Sequence, residues 1–192
     1  MTDGKLINPG TVPPEERQPW EIRATAYHEA GHAVVMLAFG LEINEVTISP
    51  DAERDSNGHI SHPPPLGYTT SSMRDQRSLV RAMILSSYAG MEAERMVDPD
   101  APDYHGAGDT ETAFSLSRMY GVLPRRMEYV GDDAHWRFLD RLKSESRYLV
   151  RSLRGPIGRL ADELLSKATL TGPEVDALVG PMLLTPTGPR SR

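Results

Sequence analysis

Apolar residues recur along most of the chain at the spacing of amphipathic helices. From Ile22 to Leu41, apolar or small side chains follow one another at intervals of three and four, which predicts a helix that ends near Gly40. The same spacing predicts further helices at 72–97, 110–120, 132–153 and 156–168, and a last one opened by a capping box at 171–174. Short β-type segments occur at 45–49 and 59–61. The pattern therefore predicts a mainly helical α+β protein with a small β-sheet.

The two ends of the chain lack this periodicity. Residues 1–19 contain four prolines and almost no apolar side chains, so we expect a disordered leader, and residues 185–192 have the character of a tail. Gly121 and Pro124 interrupt the helical pattern between these ends. We therefore expect a core at 20–125 and a C-terminal helical subdomain at 126–184.

The composition of the chain excludes several classes of function. The chain has 192 residues, 39% of them hydrophobic, which is enough for the core of one compact domain. A net charge of -6 without long runs of one sign argues against nucleic acid as a partner. There is no cysteine, so any metal must be held by His, Asp or Glu. The longest apolar stretch, 33–39, is far shorter than the roughly 20 residues that cross a bilayer, and we expect a soluble, cytoplasmic protein without a membrane segment.

Residues 28–32 form an H-E-x-x-H motif inside the strongest helical pattern of the chain. His28 and His32 are four residues apart, so both imidazoles lie on one helix face and can bind one Zn²⁺ at about 2.1 Å. Glu29 is rotated away from the metal but lies beside its open position, where it can act as the general base. Zinc lowers the pKa of a water there and polarises a carbonyl. The motif therefore predicts a zinc-dependent hydrolase.

A catalytic zinc site requires a third protein ligand. Val35 and Ala38 stand where a metzincin would have Gly and His, which excludes that arrangement. Glu53 has a thermolysin-like separation from the motif but lies in a polar loop. Asp109 follows a Gly-Ala-Gly turn at the start of a helix, and its alternative role there is a simple helix N-cap. Spacing alone does not separate the two roles of Asp109.

Several segments together resemble the FtsH-type ATP-dependent zinc metalloproteases. They are A-Y-H-E-A-G-H-A at 26–33, V-T-I-S-P at 46–50, L-G-Y-T at 66–69, Y-A-G-M-E-A-E at 88–94 and G-A-G-D at 106–109. The resemblance extends over about 22–180. It implies a zincin-like helical domain followed by a C-terminal helical bundle, with Asp109 as the third zinc ligand. The chain departs from the family in a Gly-Ala-x-Asp run that is one residue shorter, and in Met91, which replaces the usual Arg.

The resemblance also implies an activity and partners. We expect a zinc metalloendopeptidase that hydrolyses peptides or unfolded proteins, without the AAA+ ATPase module and membrane segments of the family. A peptidase subunit that works with a separately encoded AAA+ ATPase and a non-catalytic metal-binding adaptor are the alternatives. Intact Glu29 argues against the adaptor, because a structural zinc site gains nothing from a base. The hexamers of the family imply a homo-oligomer.

Other polar residues near these motifs have open or ordinary roles. Glu92 and Glu94 lie on a helix that passes near the zinc in the family, so each either orients a ligand imidazole or forms a surface ion pair. The strand at 57–61 corresponds to a sheet edge on which zinc peptidases lay an extended substrate. We interpret four histidines as ordinary surface or loop residues: His59, His62, His105 and His135.

The fourth predicted helix is rich in basic residues. They are Arg137, Arg141, Lys143, Arg147, Arg151 and Arg154. A solvated helix face is favoured over a docking surface for an acidic partner.

Overall fold

The computed structural model describes residues 17–51, 56–63, 73–119 and 132–183. The helices in these ranges are α1 (Pro19–Ala38), α2 (Met73–Glu94), α3 (Ala107–Met119), α4 (Asp132–Ser152), α5 (Arg154–Lys167) and α6 (Gly172–Leu183). A short 3₁₀ helix, Asp103–Gly106, directly precedes α3. The strands are β1 (Glu45–Thr47), β2 (His59–Ser61) and β3 (Thr169–Thr171). This confirms the predicted mainly helical α+β class.

Helix α1 begins slightly earlier than the apolar pattern indicates. Pro19 is the first helical residue, a position where its missing N–H costs no hydrogen bond, and Glu21 accepts a hydrogen bond from the Gln18 backbone N–H at 2.6 Å. Arg17 is buried as well, so residues 17–19 of the predicted leader belong to the folded structure. Residues 1–16 lie outside the described part of the chain.

Helices α1 and α2 form the most extensive contact between two elements, and they approach closely at Gly31. A β-carbon placed on Gly31 would lie 2.6 Å from both the Ala89 carbonyl oxygen and the Ala93 β-carbon. Only glycine therefore allows the backbones to come this near. The small facing residues Ala89 and Ala93 are fully buried, which brings the two helices together with little side-chain volume between them.

The sheet has the order β2-β1-β3, with both pairs antiparallel. Val46 in the central strand lies opposite Ile60 on one side and Leu170 on the other. Val46 and Leu170 are buried, so this face of the sheet covers the helical core. Strand β3 was not predicted, because Thr-Leu-Thr has one apolar residue and is too short for alternation to be recognised next to the capping box.

Buried side chains from both halves of the chain form one core. Helix α5 packs against α1, and α4 packs against α2, so Ile84 of α2 and Leu160 of α5 belong to the same apolar cluster. The expected boundary between 125 and 126 lies outside the described residues. Among the helices that the structure describes, none is both long and apolar enough to cross a membrane.

We expect Gly31→Ala to destabilise the fold, because its methyl group would force α1 and α2 apart at the Ala89 carbonyl. Overpacking of this kind costs about 1–3 kcal/mol. Gly155→Ala in α5 is the matched control, since the nearest atom to its added methyl group would be the Met182 ε-carbon at 3.8 Å. Thermal unfolding of the two variants beside the parent makes the measurement. Equal melting temperatures for both variants would show that the close approach at Gly31 does not matter for stability.

Candidate metal centre

Three side chains of the predicted zinc site converge in the structure. His28 and His32 lie on one face of α1, with ring centroids 4.7 Å apart. Asp109 Oδ2 lies 3.1 Å from His28 Nε2 and 3.4 Å from His32 Nε2. Asp109 is the third residue of α3 rather than the residue before it, so the structure does not place it at the N-cap.

The donor atoms of these three residues fit a metal ion in kind and in spacing. All three lie within 4.8 Å of one another, and two imidazoles with one carboxylate form a donor set that suits zinc. Donors bound tetrahedrally at about 2.1 Å would lie about 3.4 Å apart, close to the observed separations. A β-carbon on Gly90 of α2 would lie 2.7 Å from His28 Nε2 and still nearer to His32 Nε2. Glycine at this position therefore keeps the meeting point of the two imidazoles open.

Helix α2 fixes the orientation of both imidazoles through their other ring nitrogen. His28 Nδ1 lies 3.0 Å from Oε2 of the buried Glu94, and His32 Nδ1 lies 2.7 Å from the Ser86 carbonyl oxygen. The Ser86 hydroxyl donates in return to the His32 carbonyl. Since Nδ1 donates in both residues, Nε2 is the atom that each presents to Asp109. Glu94 thus has the orienting position that was one of its two sequence interpretations.

His105 is exposed, as expected of a surface residue, but its side chain also extends this network. Its Nδ1 lies 2.6 Å from Glu94 Oε1, while the other oxygen of the same carboxylate contacts His28. The 3₁₀ helix that carries His105 leads directly into α3 and Asp109. One buried carboxylate therefore joins the segment before α3 to the motif helix. The position of His105 four residues before Asp109 was the available signal in the sequence.

The electrostatics of the group reflect a balance between burial and opposite charge. Burial alone would lower the pKa of His28, but hydrogen bonds to Asp109 and Glu94 raise it to about 10. Burial would raise the pKa of Asp109, and the two histidines lower it well below its usual range. Burial also raises the pKa of Glu29. The three donors therefore form a strongly coupled set in which carboxylate and imidazole charges stabilise one another.

Glu29 lies beside this group on the side of the sheet. It is buried, and no described group hydrogen-bonds to its carboxylate. A β-carbon on Gly58, the residue before β2, would lie 3.0 Å from Glu29 Oε1. The segment is fixed by the buried Arg17, which donates to the carbonyl oxygens of Asn57 at 3.4 Å and Ile48 at 3.2 Å. This role of Arg17 was not predicted, because the residue falls among the prolines of the expected leader.

The remaining candidates lie elsewhere or outside the described residues. Glu92 is buried and pairs with Arg147 and Arg95, so it forms ion pairs rather than orienting an imidazole. His135 is buried and lies 2.6 Å from the Ser117 hydroxyl, which corrects its interpretation as a surface residue.

His62 is exposed, as expected, whereas His59 is half-buried in β2. Glu53 and the L-G-Y-T segment at 66–69 lie outside the described residues.

Comparison with known proteins gives a partial similarity. The ATP-dependent zinc metalloprotease FtsH 4 of Sorangium cellulosum (strain So ce56) is 29% identical over an alignment of 201 residues. The alignment covers 83% of this chain but 29% of that protein, so the chain spans less than a third of the relative's length. No family model matches the chain. Most of the chain is therefore similar to one part of a zinc metalloprotease.

We expect the contact between His105 and Glu94 to tune the metal affinity of the three-residue group. His105→Leu removes the donor to Glu94 Oε1, whereas the side-chain amide of His105→Asn can replace it. A group that hydrogen-bonds directly to a ligand imidazole typically contributes 10–100-fold to metal affinity. His105 contacts such a group, Glu94, rather than the imidazole itself, so we expect it to contribute about three- to tenfold. Competition with a chromophoric zinc chelator measures this change. The hypothesis fails if the Leu variant binds zinc like the parent, or if Asn loses as much affinity as Leu.

Proposed function

We propose that this chain is a zinc metalloendopeptidase in which His28, His32 and Asp109 bind Zn²⁺ and Glu29 is the general base. The observation that carries the proposal is the convergence of the three donors, with 3.1 and 3.4 Å between Asp109 Oδ2 and the two Nε2 atoms. The similarity to one part of an FtsH zinc metalloprotease supports the same reaction class.

The proposed division of labour follows from the positions of the side chains. The two imidazoles and Asp109 bind and hold the metal, and Glu94 and the Ser86 carbonyl orient the imidazoles. Zinc, when bound, would polarise the scissile carbonyl and make a water at its open position more acidic. Glu29 takes the proton of the attacking water on a carboxylate oxygen and later gives it to the departing amine.

The edge of the sheet offers a place for an extended substrate. Within the described residues β2 pairs only with β1, which leaves its other edge as the outer edge of the sheet. An extended peptide can add to such an edge through backbone hydrogen bonds. Gly58 directly precedes β2 and lies near Glu29, since a β-carbon added to it would be 3.0 Å from Glu29 Oε1. A peptide on this edge would therefore pass close to the base. This favours peptides and unfolded proteins as substrates, because only they can become an added strand.

The proposed chemistry is local and does not itself require ATP. Metal binding and proton transfer use residues of α1 and α3 with support from α2. A separately encoded AAA+ ATPase would act by delivering unfolded substrate, and a homo-oligomer and a cytoplasmic location stay predictions. The adaptor alternative shares the metal site but assigns no reaction to Glu29.

We expect Glu29→Gln to abolish most peptide hydrolysis while zinc remains bound. The amide preserves the shape of the side chain but cannot accept a proton, and general-base catalysis typically contributes 10²- to 10⁴-fold. The rate of casein or peptide cleavage should fall by about that factor, with zinc content and melting temperature close to those of the parent. His32→Ala is the matched control, since it should lose zinc and activity together.

Other results of these activity and zinc measurements would contradict the proposal in different ways. Cleavage by Glu29→Gln at nearly the parental rate would place the base elsewhere. Loss of zinc from this variant would make Glu29 a metal ligand. A parent protein that binds zinc and cleaves no peptide, with or without a cell extract and ATP, would favour the adaptor over the peptidase.

A further inference from the structure

A basic groove lies between the C-terminal end of α2 and helix α4, and the proposed peptidase chemistry does not use it. Its volume is about 520 Å³. Its lining includes the side chains of Arg95, Met96, Lys143, Arg147, Val150 and Arg151. Arg95 comes from the turn after α2, so the groove combines charges from two segments. The sequence showed only the basic face of α4.

The charge of the groove contrasts with the charge of the chain. Four cationic side chains line it and Glu92 is the one carboxylate among its lining residues, whereas the whole chain carries a net charge of -6. Glu92 is buried and accepts two hydrogen bonds from Arg147, at 2.8 and 3.0 Å, and one from Arg95 at 3.3 Å. It therefore holds both guanidinium groups in place.

The cations on α4 are spaced for an extended chain. Lys143, Arg147 and Arg151 follow one another at intervals of four residues, which places them about 6 Å apart along the helix axis. Alternate side chains of an extended peptide point the same way at intervals of about 6.8 Å. Acidic residues at every second position would thus face successive cations. Met96, whose side chain is exposed, provides apolar surface for the rest of the peptide.

The groove faces away from the metal centre. Glu92, which lines the groove, and Glu94, which contacts His28, are two residues apart on α2 and so are rotated by about 200° from one another. A chain in the groove would leave the proposed substrate edge free. From charge, spacing and position, we propose that the groove docks an extended acidic segment of a partner protein, with Asp or Glu at alternate positions.

Fluorescence anisotropy of the full-length chain with a labelled peptide tests this. The probe is an alternating Glu-Ala peptide of about twelve residues, long enough to pass all the cations. The parent should bind it, and salt should weaken the binding. Lys143→Glu combined with Arg151→Glu should weaken it at least about tenfold, because like charges then face the peptide and the Glu92 contacts stay intact. Arg137→Glu combined with Arg141→Glu is the matched control, since it makes the same change in net charge on α4 outside the groove lining.

The difference in peptide affinity between the two double variants tests whether the groove is the binding site. An effect of less than about threefold for the control pair, with melting temperatures of both variants near that of the parent, supports the groove. Equal weakening by both pairs would show diffuse attraction to a basic helix and overturn the proposal. The proposal would also be overturned if the parent did not bind the alternating peptide, or if it bound equally well a peptide of the same composition with Glu and Ala in separate blocks. Tighter groove-dependent binding of inorganic tripolyphosphate than of the peptide would overturn it as well.

Discussion

The structure depends on the close approach of α1 and α2, which glycines on both helices allow. Gly31 lets the α1 backbone lie against Ala89, and one residue further along α2 Gly90 leaves space for the imidazoles of His28 and His32. Any side chain at these positions would separate the helices or fill the point where the donors meet. The packing that stabilises the core and the geometry of the candidate metal centre therefore have the same physical cause.

The close approach also explains how the centre is oriented from several elements. Helix α2 supplies the Ser86 carbonyl to one imidazole and the Glu94 carboxylate to the other. Glu94 reaches His105 with its second oxygen, and the segment of His105 leads into α3 and Asp109. The three donor residues are therefore close together and are also held in place by the same neighbouring residues. A change in the spacing of α1 and α2 would displace both histidines and, through Glu94, the start of α3.

The sequence was informative where a pattern repeats or a motif has a fixed geometry, and less so where contacts join distant segments. Helical spacing placed the long helices to within a few residues, and the motif on α1 predicted that His28 and His32 share a face. Asp109 was left open by spacing, because nothing local distinguishes a capping residue from a ligand brought in by tertiary packing. Strand β3 was missed because three residues carry too little alternation. Arg17 and His105 were missed because their partners lie in other elements.

The central claim is that α1 and α3 together supply three ligands to one zinc ion. Zinc analysis of the purified parent and four single variants tests it most directly. The parent should carry about one zinc per chain, His28→Ala and His32→Ala should lose most of it, and Asp109→Ala should lose less, because a site without one of its three protein ligands holds zinc weakly. Glu53→Ala should match the parent. Unchanged zinc in both histidine variants would contradict the site, and loss from Glu53→Ala with retention in Asp109→Ala would assign the third ligand to the other carboxylate.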